Sequence, residues 1–200
     1  MPALTAAPGL LEHAVTYALA SAAQVTPQLL PLATPCEAWD LRTLLLHVSD
    51  SLAVLAEAMR ADHVSPGPPP GHKPTTEANP VPCLRRQARD LLGACAAASA
   101  EERLVAIADR ELTASVITAA GAIEIAVHGW DISVACGAGR PVPATLAAAL
   151  LPAAALLIPR TTRAGLFAGP VPVPEPASPA DRLIAFLGRQ PRPPAAPCPA

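Results

Sequence analysis

LTASVITAAGAIEIAVHGWDISVAC, residues 112–136, is the least polar long stretch of this chain, and its reading decides the fold. It is free of proline and holds a single interior glycine pair, Gly121 and Gly129. Gly137, Gly139 and Pro141 follow at once, an ordinary helix stop. At 3.6 residues per turn this is about seven turns of helix, and a helix apolar nearly all round belongs inside a protein. Three side chains break the pattern. Glu124, His128 and Asp131 stand at i, i+4 and i+7, so one face of a buried helix carries two carboxylates and an imidazole.

The neighbouring segments supply partners for such a helix. Leu10, Leu11, Ala14, Val15, Ala18 and Leu19 recur at helical spacing and predict a first helix over 10–23. Asp40 is placed to cap a second, 41–61, whose stripe is Leu41, Leu44, Leu45, Val48, Leu52 and Leu55 and which also carries His47. Residues 63–82 hold too many prolines and glycines for a helix and read as a long crossing connection. A third helix is expected near 83–99, wetted on one side by Arg85, Arg86, Arg89 and Asp90. Two further helices, 144–158 and 180–188, flank the proline-rich GPVPVPEPASP.

Of the 200 residues 52% are hydrophobic but only 2% aromatic, and the apolar share comes mainly from alanine. That balance favours closely packed helices over a sheet rich in Val, Tyr and Phe. The expectation is an all-α protein: a four-helix bundle over 1–140 with one long crossover, a helical extension of the same domain over 141–190 packed on its outside, and a proline-rich tail over 191–200. The alanine-rich 144–158 adds core, with a homodimer contact as the alternative.

Charge and cysteine usage exclude several classes. With 14 basic and 16 acidic residues, a net charge of −2 and no Lys/Arg run, nucleic acid is not an expected partner. The N-terminus lacks a basic lead and Glu12 and His13 interrupt its apolar stretch, while TLAAALLPAAALLIP is too short to span a bilayer. A soluble, cytoplasmic protein without membrane contact is expected. The cysteines, Cys36, Cys83, Cys95, Cys136 and Cys198, show no CxxC spacing, so neither a disulfide framework nor a zinc knuckle is indicated.

Glu124 and His128 on an interior face, with His47 flanked by core positions Leu44 and Val48, form a His2Glu set that a bundle can bring together. Three protein ligands leave a fourth position for water or substrate, the pattern of a catalytic site. Asp131, one turn beyond His128, can hold an imidazole N–H in support. The plainer reading of the same spacing is a hydrogen-bonded Glu/His couple or a solvated stripe, since ExxxH is a short pattern. No GxSxG elbow occurs and Cys36 has no local histidine, so a nucleophilic triad is weaker. His13, His63 and His72 read as surface or loop residues, and Trp39 and Trp130 as packing anchors beside the site elements.

TPCEAWDLRTLLLHV (34–48) resembles the TPCxxWxxxxLLxH signature of the mycothiol-dependent maleylpyruvate isomerase family, part of the DinB/YfiT-like metal-binding superfamily. EIAVHGWDISVACG (124–137) is similar to its second signature, ExxxHGWDLAxAxG, and AGLFAGPVPVPEPASPADRLIAFLGRQP (164–191) resembles the tail of an actinobacterial subgroup described as metal-binding proteins. The resemblance implies an up-down-down-up four-helix bundle with a divalent metal, commonly zinc or nickel, held by His47, Glu124 and His128. It implies mycothiol as a thiol cosubstrate, activated as the thiolate, and a small electrophilic substrate. In the isomerase, thiolate adds to the cis double bond of maleylpyruvate, the resulting single bond rotates, and elimination gives fumarylpyruvate. In transferase relatives the thiol stays attached. The isomerase substrate is a dianion, for which Arg42, Arg110 and Arg140 are the available arginines. Without a clear clamp among them, a thiol S-transferase ranks above an isomerase, with a noncatalytic metal- or ligand-binding bundle and a metal-dependent hydrolase as alternatives. Cys36 falls in the helix-entry motif, which points to packing near the loop.

Overall fold

The computed structural model describes residues 7–36, 39–64, 79–98, 103–108, 110–159 and 167–191, with side chains from Gly9 onward. Most of the 63–82 connection, with His72, and Cys198 with nearly all of the 191–200 tail lie outside the described residues. Among the described residues six α-helices dominate: α1 (Ala7–Ala22), α2 (Leu41–Arg60), α3 (Val81–Ala97), α4 (Ala114–Ala135), α5 (Ala144–Leu157) and α6 (Pro179–Phe186). Alongside them runs a small sheet of β1 (His63–Val64), β2 (Leu104–Ile107) and β3 (Arg110–Thr113).

The mostly helical architecture is consistent with the all-α expectation, and the small sheet is an addition to it: that expectation assigns no element to 100–111 and begins the fourth helix at Leu112. β2 and β3 form an antiparallel hairpin pairing Val105 with Leu112, and its turn holds Ala108 at φ 53. β1 joins β2 in parallel, His63 opposite Ala106 and Val64 opposite Ile107. Strands of two to four residues are too short to show a period, and parallel pairing joins segments far apart in the chain. The hairpin is tied to the end of α2 by Arg103, whose guanidinium donates to the carbonyls of Ala58 and of Ala61, the latter at 2.8 Å. Those are carbonyls that the last turn of a helix leaves without intrahelical donors.

α1 packs chiefly along α4 and α2 along α3, while α2 also meets α4 and α5 bridges α4, α1 and α6. α4 is therefore the central rod, and nearly every residue from Ile117 to Ser133 is buried. Two of its glycines let neighbours close in. A Cβ on Gly129 would stand 3.0 Å from the Ala18 Cα and from a Tyr17 ring carbon, and one on Gly121 would meet the Leu55 side chain at 2.6 Å. α1 and α2 thus approach the same helix from two sides.

The start of α2 is fixed as its sequence predicts. Asp40 accepts from the Thr43 N–H at 2.8 Å, and the first-turn donors Leu41 N–H and Arg42 N–H bond the carbonyls of Leu32 and Leu30. Capping contributes about 1 kcal/mol. Burial of Leu41, Leu44, Leu45 and Leu52 contributes more, about 1.5–3 kcal/mol each, so packing holds α2 and the cap sets where it begins. Leu146, Ala147, Leu150, Ala153 and Ala154 of α5 are buried, while Leu156 is largely exposed. Among the described residues no helix is long and apolar enough to cross a membrane.

Candidate metal centre

The face of α4 marked out by Glu124 and His128 turns toward α2, and His47 arrives there from the second turn of that helix. His47 Nε2 lies 2.7 Å from Glu124 Oε1, and His128 Nε2 lies 3.1 Å from the same oxygen. One donor atom from each of the three residues falls within 4.8 Å of the other two. Among the described residues no other cluster of three His, Cys, Asp or Glu side chains has this geometry.

The three differ in their access to water. The His128 side chain is 6% exposed, whereas those of His47 and Glu124 are 34% and 30% exposed. The cluster therefore has a buried floor and an open side. Trp39, held by the loop that precedes α2, borders it: its ring centroid is 4.4 Å from that of His47 and 5.9 Å from that of His128. The loop is itself stitched together, since the Thr34 hydroxyl oxygen is within hydrogen-bond distance of the Trp39 carbonyl, 2.9 Å, and accepts from the Cys36 N–H at 3.2 Å. The Trp39 N–H in turn donates to the Cys36 carbonyl. Cys36 sits half-buried in this turn, and Trp130 packs in the core.

No family model, curated protein or solved structure matches this chain.

The electrostatics follow from the geometry. Burial opposes ionisation of Glu124, but hydrogen bonds from His128 and His47 win and hold its carboxyl well below the usual carboxylate range. Burial likewise opposes charging of His128. Its two nitrogens, however, face two carboxylates, Nδ1 lying 3.0 Å from Asp131 Oδ2, and together Asp131 and Glu124 push the imidazole up to about 9. Asp131, fully buried, is thus in place to accept the Nδ1 proton of His128, which leaves Nε2 for the side of the cluster that Glu124 and His47 share.

The donor set suits a divalent cation. Two imidazole nitrogens and a carboxylate oxygen at about 2.0–2.2 Å from a tetrahedral ion stand roughly 3.3–3.6 Å apart. The two nitrogens here are 2.7 and 3.1 Å from the oxygen, so the His47–Glu124 pair would open by about 0.6–0.9 Å and the His128–Glu124 pair by about 0.2–0.5 Å to make room, with two of the three ligands, His47 and Glu124, on an exposed edge.

Sequence reasoning missed Arg189. Its Nη2 lies 3.1 Å from Asp131 Oδ2 and its Nε 3.4 Å from Oδ1, both buried, so it is this guanidinium that reaches the cluster's hydrogen-bond network. Of the three arginines available to clamp a dianion, Arg42 is in the first turn of α2, Arg110 is on β3, and Arg140 stands where its carbonyl accepts from the Tyr17 hydroxyl at 2.7 Å. His13 and His63 are exposed.

Proposed function

We propose that this chain is a divalent-metal-dependent enzyme of the DinB-like four-helix-bundle type that activates a small thiol, mycothiol by the resemblance of its two signatures, for transfer to a small electrophile. The observation that carries the reading is the convergence of His47, Glu124 and His128 from two helices with a side open to solvent. Zinc or nickel fits the two imidazoles and one carboxylate. When bound, such a cation stabilises a coordinated thiol as its thiolate near neutral pH.

The chain's own groups do the rest. His47 Nε2, His128 Nε2 and a Glu124 oxygen hold the cation, and the charge of Glu124 offsets part of the cation's own. Asp131 accepts the Nδ1 proton of His128 and fixes which nitrogen faces the site. Trp39 walls one side with an apolar ring, which excludes water from part of the mouth and offers a surface for the carbon skeleton of a substrate. The transferase reading stands above the isomerase one because the sequence offers no clear arginine clamp for a dicarboxylate, and Arg189 is engaged by Asp131.

The test pairs metal analysis of the purified protein with calorimetric titration of mycothiol into the metal-loaded form. About one metal per chain, lost in His128→Ala while the helical circular-dichroism signal persists, together with saturable thiol binding, is the expected result. Metal without thiol binding would turn the reading to a hydrolase or a noncatalytic binder, and full metal content in His128→Ala would sink the ligand assignment.

A further inference from the structure

The chemistry around Asp131 does not stop at α4. Asp131 is fully buried, and a carboxylate there is costly unless it is paired and hydrogen-bonded. Its partners come from opposite directions: His128, one turn back on the same helix, and Arg189, 58 residues further on. The guanidinium is constrained at each nitrogen. Nε faces Asp131 Oδ1, Nη2 faces Oδ2 at 3.1 Å, and Nη1 donates to the Leu187 carbonyl at 3.0 Å, while the Phe167 ring lies 5.9 Å from its central carbon.

The backbone that delivers Arg189 is equally specific. α6 ends in a left-handed turn at Gly188, φ 82, where a Cβ would collide with the Ala168 carbonyl oxygen at 2.7 Å. The N–H groups of Gly188 and Arg189 bond back to the carbonyls of Ala185 and Ile184, closing the helix and redirecting the chain toward α4. Val171 N–H pins the preceding proline-rich segment to the Ala185 carbonyl. The last helix thus ends by inserting a single cation behind the triad.

We propose that Arg189 is a positioning residue of the metal centre: by holding both oxygens of Asp131 it aims that carboxylate at His128 Nδ1, and so directs His128 Nε2 at the space shared with Glu124 and His47. This rests on the metal-binding reading above. It makes the segment 167–191 a structural part of the site rather than an appendage. A hydrogen-bonded carboxylate behind a ligating imidazole fixes the ring's tautomer and rotation, and loss of such support typically weakens metal affinity by about 10–100-fold.

The experiment measures Co2+ affinity by chelator competition, with the visible absorption of the Co2+ form as a report of coordination geometry, in wild type, Arg189→Met, Arg189→Lys, Asp131→Asn and the Asp131→Asn/Arg189→Met double variant. Arg189→Met should bind Co2+ about 10–100-fold more weakly with an altered spectrum, and Arg189→Lys, which keeps charge but not the fork, should recover part of both. Because Arg189 acts through Asp131, the double variant should match Asp131→Asn alone instead of adding the two losses. If Arg189→Met fails to fold, the comparison of Asp131→Asn with the double variant, in which no buried charge is left unpaired, still decides the matter. Wild-type affinity and spectrum in Arg189→Met, or additive losses in the double variant, would overturn the positioning role and leave the metal reading standing. A wild-type protein that takes up no Co2+ would overturn both.

Discussion

Metal binding to this protein should expel a proton, and the size of the effect can be worked from His128. Its imidazole stands between Glu124 and Asp131 and titrates near 9, so at pH 7 only about 1% of molecules stripped of metal carry it neutral. A cation at Nε2 requires the neutral ring. The apparent affinity should therefore rise close to tenfold per pH unit from 7 toward 9 and level off above, a span of roughly 100-fold. Calorimetry of Co2+ binding at pH 7 in two buffers of different ionisation heat should report close to one proton released from this group. Stability of the chelator-stripped protein should run the opposite way. A raised pKa contributes stability that is fully present below the unfolded value near 6.5 and is lost as pH climbs through 9, about 3 kcal/mol at most for a shift of this size. Glu124, held low, contributes stability present above its unfolded value and lost as pH falls, so the stripped protein should be most stable between about 4.5 and 6.5 as far as this cluster decides. The two contributions share one Glu124–His128 interaction and are not to be added. Metal affinity that is flat from pH 7 to 9, with no proton released, would refute the reasoning that the cation displaces a proton from His128.

Three further expectations concern the scaffold. Asp40→Ala removes the side chain that accepts from Thr43 N–H and should cost about 1 kcal/mol in urea denaturation, with metal affinity little changed; a loss under about 0.3 kcal/mol would show that the Leu30 and Leu32 carbonyls suffice to start α2. Gly129→Ala places a methyl 3.0 Å from the Ala18 backbone, which cannot rotate away, and should cost about 1–3 kcal/mol through separation of α1 from α4. Gly121→Ala, which meets only the end of the Leu55 side chain, should cost less despite the shorter distance, and the reverse order by thermal denaturation would contradict the account of how these helices approach.

Much of the scaffold was legible because helices declare themselves locally. The stripe of Leu41, Leu44, Leu45, Val48 and Leu52 and the cap at Asp40 placed α2 to within a residue, and the glycines after Cys136 placed the end of α4. The spacing of Glu124, His128 and Asp131 on one helix is a property of 3.6 residues per turn, so their common face followed without any tertiary information. The strands did not declare themselves: β2 and β3 hold four residues each, and β1 finds its partner some forty residues away through backbone groups that every sequence possesses.

The amino-acid sequence by itself determined the helices, the polar face on α4 and the candidacy of His47. Only the tertiary structure decided that His47 Nε2 comes within 2.7 Å of Glu124, that Trp39 borders both imidazoles, and that Arg189 closes on Asp131 from the far end of the chain. The physical reason is that periodicity fixes directions only within one element, whereas a contact between elements depends on how side-chain volumes pack. Here the missing Cβ atoms of Gly121 and Gly129 let α2 and α1 close on α4, and the left-handed turn at Gly188 sends one arginine inward.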